Sequence, residues 1–445
     1  MSSLDGDHNK KEALVSYTDE DVLNYHSDNY PGNGKIAMVP KTTLRSTLDL
    51  TLAYSPGVAI ACKEIQKDPA QKVYDYCSVG NTVGIITNGT RILGLGDIGP
   101  RSGLPVMEGK AVLFKGYGYV DAWPIVINEK DPDKMVDIIA AIAQSFGSIN
   151  LEDIRKPDCY KVEDEVIKRV DIPVWHDDQW GTALVTVAGA INACRVLGKN
   201  LSDVRAVIQG SGASGTAIAK MLLDAGVKTN NLVLTDRHGA VYNGRTEGMD
   251  IRKDELAKIS NSDLLRGDLS SVVKTMNPDF LIGASAPNTF TTDMVRNMNT
   301  DPSVFAIANP VPEIWPEDAY DAGAVIVATG RSDYKNQVNN VLGFPGVFRG
   351  VLDVRAKTIT TEMKVAAAHA VADAVSEDEL SKDFIMPLPT NPDVYQEVAV
   401  AVAQAAIKSK VARIQRSSDW IRENFQSLKK FYNANEDPMI DKRKM

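Results

Sequence analysis

The pattern of apolar and polar positions predicts alternating strands and helices through most of the chain. Short apolar runs typical of buried strands occupy residues 123–128, 148–151, 172–175, 204–209, 231–235, 280–283, 304–308 and 324–327. Segments with helical periodicity follow several of them, at 133–146, 159–169, 181–197 and 216–225. Because parallel strands need such crossover helices, we expect an α/β protein with a doubly wound parallel sheet.

Four further stretches carry distinct local signals. Residues 181–197 are apolar on nearly every face, which predicts a deeply buried helix. Two β-like runs flank Asn88-Gly89, and this dipeptide favours a β-hairpin because both residues accept a positive φ. Residues 20–30 resemble a short helix that Pro31-Gly32 ends. Helical periodicity returns in the last third of the chain, at 360–374, 394–408 and 420–431.

The length of 445 residues exceeds what one ordinary hydrophobic core serves, so we expect more than one domain. The pattern divides into an N-terminal arm (1–30), an α/β catalytic domain (31–175), a Rossmann-type domain (176–410), and a C-terminal helix and tail (411–445).

Composition and charge exclude several classes of protein. The net charge of −9 argues against a nucleic-acid-binding surface. The sequence contains no run of about eighteen apolar residues, which a membrane-spanning helix would need. The polar N-terminus lacks the features of a secretory signal. The four cysteines are widely separated, which favours reduced thiols. We therefore expect a cytoplasmic protein that binds neither nucleic acid nor membrane.

A glycine-rich loop lies between a predicted strand and a predicted helix, and an acid ends the next strand. This context favours dinucleotide binding over a plain tight turn, because glycines let the backbone approach a pyrophosphate. The predicted cofactor-binding residues are Gly210, Gly212, Ala213, Ser214, Gly215, Asp236 and Arg237. Asp236 would accept a ribose hydroxyl of NAD, whereas Arg237 would meet the 2′-phosphate of NADP. The choice between NAD and NADP therefore stays open.

Two acidic pairs, Glu152-Asp153 and Asp177-Asp178, are candidate ligands for Mg²⁺ or Mn²⁺. The alternative is that Glu152 and Asp153 occupy the first turn of a helix capped by Asn150. His176 has no second histidine nearby in sequence, so we interpret it as a packed or hydrogen-bonding side chain.

Lys110 and Tyr54 are candidate acid–base groups, because burial or a neighbouring charge can bring either pKa towards neutrality. Taken singly, a surface lysine and a core tyrosine are the simpler interpretations.

Taken together, the ordered motifs resemble those of malic enzyme, in the short-subunit form found in bacteria, archaea and some protists. The resemblance extends from about residue 41 to residue 411. It rests on the motifs at 54–59 (YSPGVA), 91–99 (RILGLGDIG), 109–110 (GK), 152–153 (ED), 176–182 (HDDQWGT), 210–215 (GSGASG) and 336–346 (NQVNNVLGFPG). Ser55 stands where the family more often has threonine.

The resemblance implies oxidative decarboxylation of (S)-malate to pyruvate and CO₂ with NAD or NADP and a divalent metal. It implies metal ligands at Glu152, Asp153 and Asp178, a general base at Lys110 oriented by Asp177, and a general acid at Tyr54. Arg91 and Asn340 would contact the substrate carboxylates, and Asn309 would face the substrate or the nicotinamide.

The resemblance also implies an architecture and an assembly. C-terminal helices would return to the catalytic domain, and the short forms are usually homodimers in which a second chain can help to complete each site. Two rival functions remain: a malate or oxaloacetate enzyme that performs one half-reaction, and a dinucleotide-sensing protein without turnover.

Overall fold

Two β-sheets with helices packed on them form the molecule, which confirms the predicted α/β class. The structure is a computed structural model and describes residues 18–27, 33–92 and 94–434. The predicted helix at residues 20–30 is observed as α1, Asp19–Ser27. Its expected end at Pro31-Gly32 lies outside the described residues, as does the tail from residue 435 onward.

The first unit contains a four-stranded parallel sheet in the order β2-β1-β3-β4. Its helices before the sheet are α2 (Thr47–Ala53), α3 (Val58–Lys67), α4 (Pro69–Tyr76) and a 3-10 turn (Ser78–Asn81). The sheet and its crossovers are β1 (Thr82–Thr87), α5 (Leu104–Gly118), β2 (Asp121–Val126), α6 (Pro132–Ile142), a 3-10 turn (Ala143–Ser145), β3 (Ser148–Leu151), α7 (Asp158–Arg169) and β4 (Val174–His176).

The predicted hairpin at Asn88-Gly89 is wrong. β1 lies inside the sheet, where Val83 pairs with Ala122 of β2 on one side and Ser148 of β3 on the other. Since both edges of β1 are occupied by parallel neighbours, no edge is left for a hairpin partner. The described residues between Gly89 and α5 instead form a loop.

Helix α8 (Asp177–Leu197) follows β4 directly and joins the two units. Its apolar residues face neighbours on nearly all sides, so most of the helix is buried, as predicted. By length and composition alone this helix could cross a membrane, yet the apolar stretch lies mostly inside the protein. Gly198, at φ 63°, ends the helix in a left-handed cap.

The second unit contains a six-stranded sheet in the order β10-β9-β8-β5-β6-β7, parallel except for the short β7. Its strands are β5 (Ala206–Gln209), β6 (Leu232–Asp236), β7 (Gly239–Ala240), β8 (Phe280–Gly283), β9 (Ser303–Ala306) and β10 (Ile326–Thr329). Its helices are α9 (Ala213–Asp224), a 3-10 turn (Thr229–Asn231), α10 (Ile251–Ile259), α11 (Leu269–Met276), α12 (Thr292–Arg296) and α13 (Pro316–Asp321). The strand order reverses between β5 and β8, as in a doubly wound fold.

The C-terminal helices return to the first unit. They are a 3-10 turn (Asn340–Leu342), α14 (Phe344–Asp353), α15 (Thr361–Asp373), α16 (Pro392–Lys408) and α17 (Ser418–Ala434). Phe114 of α5 packs against Phe344 and Phe348 of α14, with ring centroids 4.8 and 4.9 Å away. One continuous apolar cluster therefore spans both units.

Candidate active site

A buried lysine held by carboxylates forms the centre of the site. Lys110 lies on α5 with 7% of its surface exposed, and its Nζ is 2.5 Å from Asp177 Oδ2 and 3.1 Å from Glu152 Oε1. Asp177 opens α8, while Glu152 follows β3, so two adjacent parallel strands deliver both acids to the same edge of the sheet. The ring of Phe344 covers the ammonium at 4.2 Å.

Asp177 is fully buried and accepts hydrogen bonds from three side chains. Oδ2 accepts from Lys110 and from Asn340 Nδ2 at 2.5 Å, and Oδ1 accepts from Trp175 Nε1 at 2.9 Å. These donors fix the carboxylate rotamer, and the carboxylate in turn fixes the lysine. Asp177 thus contacts Lys110 directly, and Asn340 binds the same carboxylate; the catalytic and substrate-binding roles that the resemblance implies for them stay predictions.

Electrostatics favour a charged Lys110. Burial alone would lower the pKa of Lys110, but the carboxylates of Asp177 and Glu152 outweigh it and raise the pKa above its usual value. Burial raises the pKa of Glu152 well above its usual value, opposed by Lys110 and reinforced by the charges of Asp177, Asp178 and Asp153. Four carboxyl groups, those of Glu152, Asp153, Asp177 and Asp178, therefore influence one another at this end of the sheet.

The predicted metal ligands are neighbours, although they do not form a ready-made cage. The amide of Asp153 donates to Asp178 Oδ2 at 2.9 Å, and Asn150 Nδ2 donates to Glu152 Oε2 at 2.9 Å. Within the described ranges, no three His, Cys, Asp or Glu side chains are grouped so as to hold a metal. The excess of hard carboxylate donors fits Mg²⁺ or Mn²⁺, so the metal site stays a prediction.

The structural alternative for Glu152 and Asp153 is wrong. Both residues lie in a loop, Asp153 has a left-handed φ of 53°, and α7 begins only at Asp158. Asn150 therefore caps no helix here. His176 is fully buried, neither ring nitrogen has a hydrogen-bond partner, and the nearest carboxylate oxygen is Asp178 Oδ2 at 3.8 Å. This agrees with its interpretation as a packed side chain.

Among the described residues, no hydrogen bond or ion pair joins the other predicted substrate and acid–base residues to Lys110. The amide of Arg91 donates to the carbonyl of Asp153 at 3.1 Å, and Arg91 is an exposed residue. Asn309 follows β9 and donates to the Gly330 carbonyl at 3.3 Å. Tyr54 ends α2 with 72% of its surface exposed. No contact found among the described residues joins Tyr54 to Lys110.

The glycine loop has the open shape that a pyrophosphate needs. A Cβ on Gly215 would lie 1.8 Å from the Gly210 carbonyl oxygen, and a Cβ on Gly210 would lie 2.3 Å from that of Ala284. Only glycine fits these two approaches. Gly212, just before α9, has nothing within 4 Å of its Cβ position, so the N-terminus of α9 faces open space. Ala213 and Ser214 form the first turn of this helix.

Asp236 is already engaged at the end of β6. Arg245 Nη2 donates to both of its oxygens at 2.7 and 2.8 Å, and Lys253 Nζ and the His238 amide donate at 3.1 and 2.9 Å. Burial tends to raise the pKa of Asp236, but these donors outweigh it and lower the pKa. Arg237 beside it contacts His238 Nε2 through Nε at 3.0 Å. Ribose binding by Asp236 and phosphate binding by Arg237 stay predictions.

Several residues of the site carried too little local signal to be singled out. Trp175 orients Asp177, and Phe344 covers Lys110. Lys156 Nζ donates to the Ser211 carbonyl at 2.8 Å and so ties the acidic loop to the glycine loop. Trp175 directly precedes the acidic motif at 176–182, so its position in the sequence already indicated a place near the site. Phe344 lies in the motif at 336–346, but its contact with Lys110, like that of Lys156 with Ser211, acts across the fold, where spacing along the chain carries no information.

The fold and this site define a dinucleotide-binding oxidoreductase with two α/β units. Residues 33–167 match the family model for the malic enzyme N-terminal domain, and residues 180–407 match that for the malic enzyme NAD binding domain. The chain belongs to the malic enzyme family.

Known relatives support this assignment along nearly the whole chain. The bifunctional malic/malolactic enzyme of Bacillus subtilis is 50% identical over 92% of this chain and 98% of its own length. The NADP-dependent malic enzyme of Escherichia coli is 43% identical over 88% of this chain, which corresponds to 53% of that protein. The crystal structure of malic enzyme from Pyrococcus horikoshii matches with a TM-score of 0.89 and 48% identity, covering 95% of this chain and 98% of its own.

Proposed function

We propose that this protein catalyses the oxidative decarboxylation of (S)-malate to pyruvate and CO₂, with NAD or NADP as hydride acceptor and Mg²⁺ or Mn²⁺ as the metal. The observation that carries the proposal is the junction between the two loops. Lys156 joins the loop of Glu152 and Asp153 to the open glycine loop, so the acids and Lys110 lie beside the place where a dinucleotide would bind. Hydride transfer needs such proximity of substrate and cofactor.

In this mechanism Lys110 removes the proton of the C2 hydroxyl while hydride leaves C2 for the nicotinamide. Only a neutral lysine accepts that proton, and the two carboxylates in this structure hold the lysine charged. If Glu152 bound a metal ion, its carboxylate would offset the charge of Lys110 less, so the pKa of Lys110 would fall. Asp177 keeps the amine oriented through both states.

The keto acid formed by oxidation then loses CO₂ from C4. A divalent cation held by Glu152, Asp153 and Asp178 would supply the positive charge that stabilises the enolate oxygen. Arg91 and Asn340 would hold the substrate carboxylates. Tyr54 would donate a proton to C3 and so complete pyruvate, which gives each residue a separable task.

We propose that Tyr54 acts in the site of a second copy within a homodimer. The exposed position of Tyr54 is consistent with this, because the described part of the chain shows no contact between Tyr54 and Lys110. The same segment carries a row of large apolar side chains that are more than half exposed, namely Met38, Val39, Leu44, Leu48, Leu50, Leu52 and Ile60. Helices α2 and α3 have no buried residue. Exposed apolar surface of this kind typically marks an interface.

The function is tested by following reduced nicotinamide with malate and Mn²⁺, in parallel with NAD and NADP, and by assaying pyruvate and lactate at the end. We expect reduced cofactor and pyruvate in equal amounts, and loss of both when the metal is chelated. The preferred cofactor is the one with the higher kcat/KM. Lactate is included because the Bacillus subtilis relative is named a malic/malolactic enzyme.

The other outcomes would replace the proposal. Reduced cofactor without pyruvate would indicate a dehydrogenase that performs one half-reaction. Cofactor binding with no turnover of malate would indicate a dinucleotide sensor. Activity unaffected by a chelator or by Asp178→Ala would remove the metal from the mechanism.

A further inference from the structure

A cavity of about 270 Å³ lies at the amino end of β1, on the side of the first sheet opposite the Lys110 site. Its lining includes Lys41, Arg349, Arg355 and Arg416. Asp353 is the one acidic side chain among its lining residues. Parallel strands place the acids of the active site at their carboxyl ends, so this cavity belongs to a different edge of the sheet.

Two guanidinium groups in this cavity have a donor without an acceptor. Arg349 is 3% exposed; its Nη1 donates to Asn81 Oδ1 at 2.5 Å and its Nη2 pairs with Asp353 Oδ1 at 2.9 Å. Its Nε, and that of Arg416, are buried and have no hydrogen-bond partner. Leaving a charged donor buried and unmet is costly, so these atoms point to an acceptor that binds there.

The three other cations of this cavity form ion pairs, whereas Arg416 acts on Asp353 only through a longer-range charge interaction. Arg355 pairs with Asp75 at 2.9 Å, and Lys41 lies 3.8 Å from Asp121. Arg416 stacks on Trp420, with 4.2 Å from the guanidinium carbon to the ring centroid, and makes no ion pair with any residue that the structure describes. An excess positive charge at this cavity stands out in a chain whose net charge is −9.

The cavity also holds one acceptor that lacks a donor. Asp353 Oδ1 receives Arg349 and Asn424, whereas its buried Oδ2 has no partner. A ligand that met all three unpartnered atoms would accept from two guanidinium Nε atoms and donate one hydrogen. A hydrogen phosphate group does both, because it presents several acceptor oxygens and one hydroxyl, and guanidinium forks suit its geometry.

We propose that this cavity is a binding site for a phosphoryl group, either as free phosphate or on a small metabolite. The site is separate from the dinucleotide loop and is independent of the proposed reaction. Arg349 and Arg416 supply the donors, and Asp353 orients the group through its hydroxyl.

The test is calorimetric titration of the full-length protein with inorganic phosphate, and with citrate as a carboxylate probe, at constant ionic strength. We expect Arg416→Gln to weaken phosphate binding by about tenfold or more, the loss typical of one charged hydrogen bond. Arg422→Gln is the matched control, because Arg422 lies on the following helix, pairs with Glu397 and does not line the cavity. Any phosphate bound at the glycine loop contributes equally to all three proteins.

Arg416→Lys guards against a folding artefact, because it keeps the charge and removes the Nε donor. We expect an affinity between those of the wild type and Arg416→Gln. Phosphate binding unchanged in Arg416→Gln, or weakened equally in Arg422→Gln, would overturn the site. Citrate binding more tightly than phosphate would overturn the phosphoryl assignment. If the site holds, comparing free phosphate with a phosphate monoester distinguishes the two sources.

Discussion

The carboxylate of Asp177 connects the main features of the candidate site at the level of single residues. Its oxygens accept hydrogen bonds from Lys110, from Asn340 of the C-terminal segment and from the indole of Trp175. Removing one partner from a buried charged group leaves the other uncompensated. Substitution of Asp177 would therefore disturb stability and chemistry together, whereas substitution of Lys110 separates the steps of the reaction.

We predict that Lys110→Ala lowers kcat for malate oxidation by on the order of 10²–10⁴-fold, the usual contribution of a general base. Decarboxylation of added oxaloacetate should be largely retained, because that step needs no proton acceptor at C2. Steady-state assays of both reactions measure the difference.

Lys115→Ala is the matched control, because Lys115 lies on the same helix and its side chain is partly exposed beside Asp121. It should leave both rates near those of the wild type. Equal loss of both activities in Lys110→Ala would contradict the role of the lysine as a base.

Ordered sequence motifs predicted several residues that meet across the fold, whereas residues outside those motifs were missed. Lys110, Asp177 and Asn340 were implied by ordered motifs and do meet. The engagement of Asp236 by Arg245 and Lys253 was not foreseen. An acid at the end of a strand predicts ribose binding. The basic residues that pair with Asp236 belong to no recognisable motif, so the sequence did not indicate this pairing.

At the level of elements, periodicity predicted strands and helices well, but strand neighbours poorly. The segments predicted at 148–151 and 280–283 are observed with the same bounds as β3 and β8. The hairpin prediction was wrong because an Asn-Gly dipeptide indicates a tight turn but not which strand edges are free to pair. Once β2 and β3 occupy both sides of β1, the turn leads into a loop.

The contact between Lys364 of α15 and Trp180 of α8 leads to a prediction about how the free energy of unfolding depends on pH. Lys364 Nζ lies 3.1 Å from the ring centroid of Trp180, whose indole donates to Glu163 at 2.7 Å. Burial lowers the pKa of Lys364 to about 8. Between that value and its ordinary value of about 10.5, the unfolded chain holds more protons, so the free energy of unfolding should rise with pH across this window.

Lys364→Met should remove this contribution, which amounts to at most about 3 kcal/mol over the window. Urea unfolding at several values between pH 8 and 10.5 measures the slope. The exposed Lys357, just before α15, provides the control Lys357→Met, which should keep the wild-type slope. Identical slopes for the wild type and Lys364→Met would show that Lys364 is not desolvated.

For the whole molecule, the exposed position of Tyr54 leads to a prediction about assembly. If each site takes Tyr54 from the other copy, Tyr54→Phe and Lys110→Ala are each inactive alone but complement each other when mixed and allowed to exchange subunits. A mixed dimer then contains one site with both groups intact, and random exchange should restore about a quarter of the wild-type rate.

The same mixture distinguishes the two arrangements. If Tyr54 serves its own chain, a mixed dimer has one defect in each site and activity stays at the level of the separate variants. A protein that sediments as a monomer at the assay concentration would contradict the dimer itself. The control mixes either variant with itself after the same exchange step.

The length and burial of helix α8 have a further consequence for the whole molecule. It begins with an acid of the candidate active site, and its buried middle contributes to the core shared by both units. At about 1.5 Å per residue, its 21 residues form a rod roughly 30 Å long. Because protein interiors are closely packed and transmit strain, a substitution that shifts the buried middle of this helix would also displace Asp177 from Lys110. Damage to the core that both units share would therefore appear as a loss in the candidate active site.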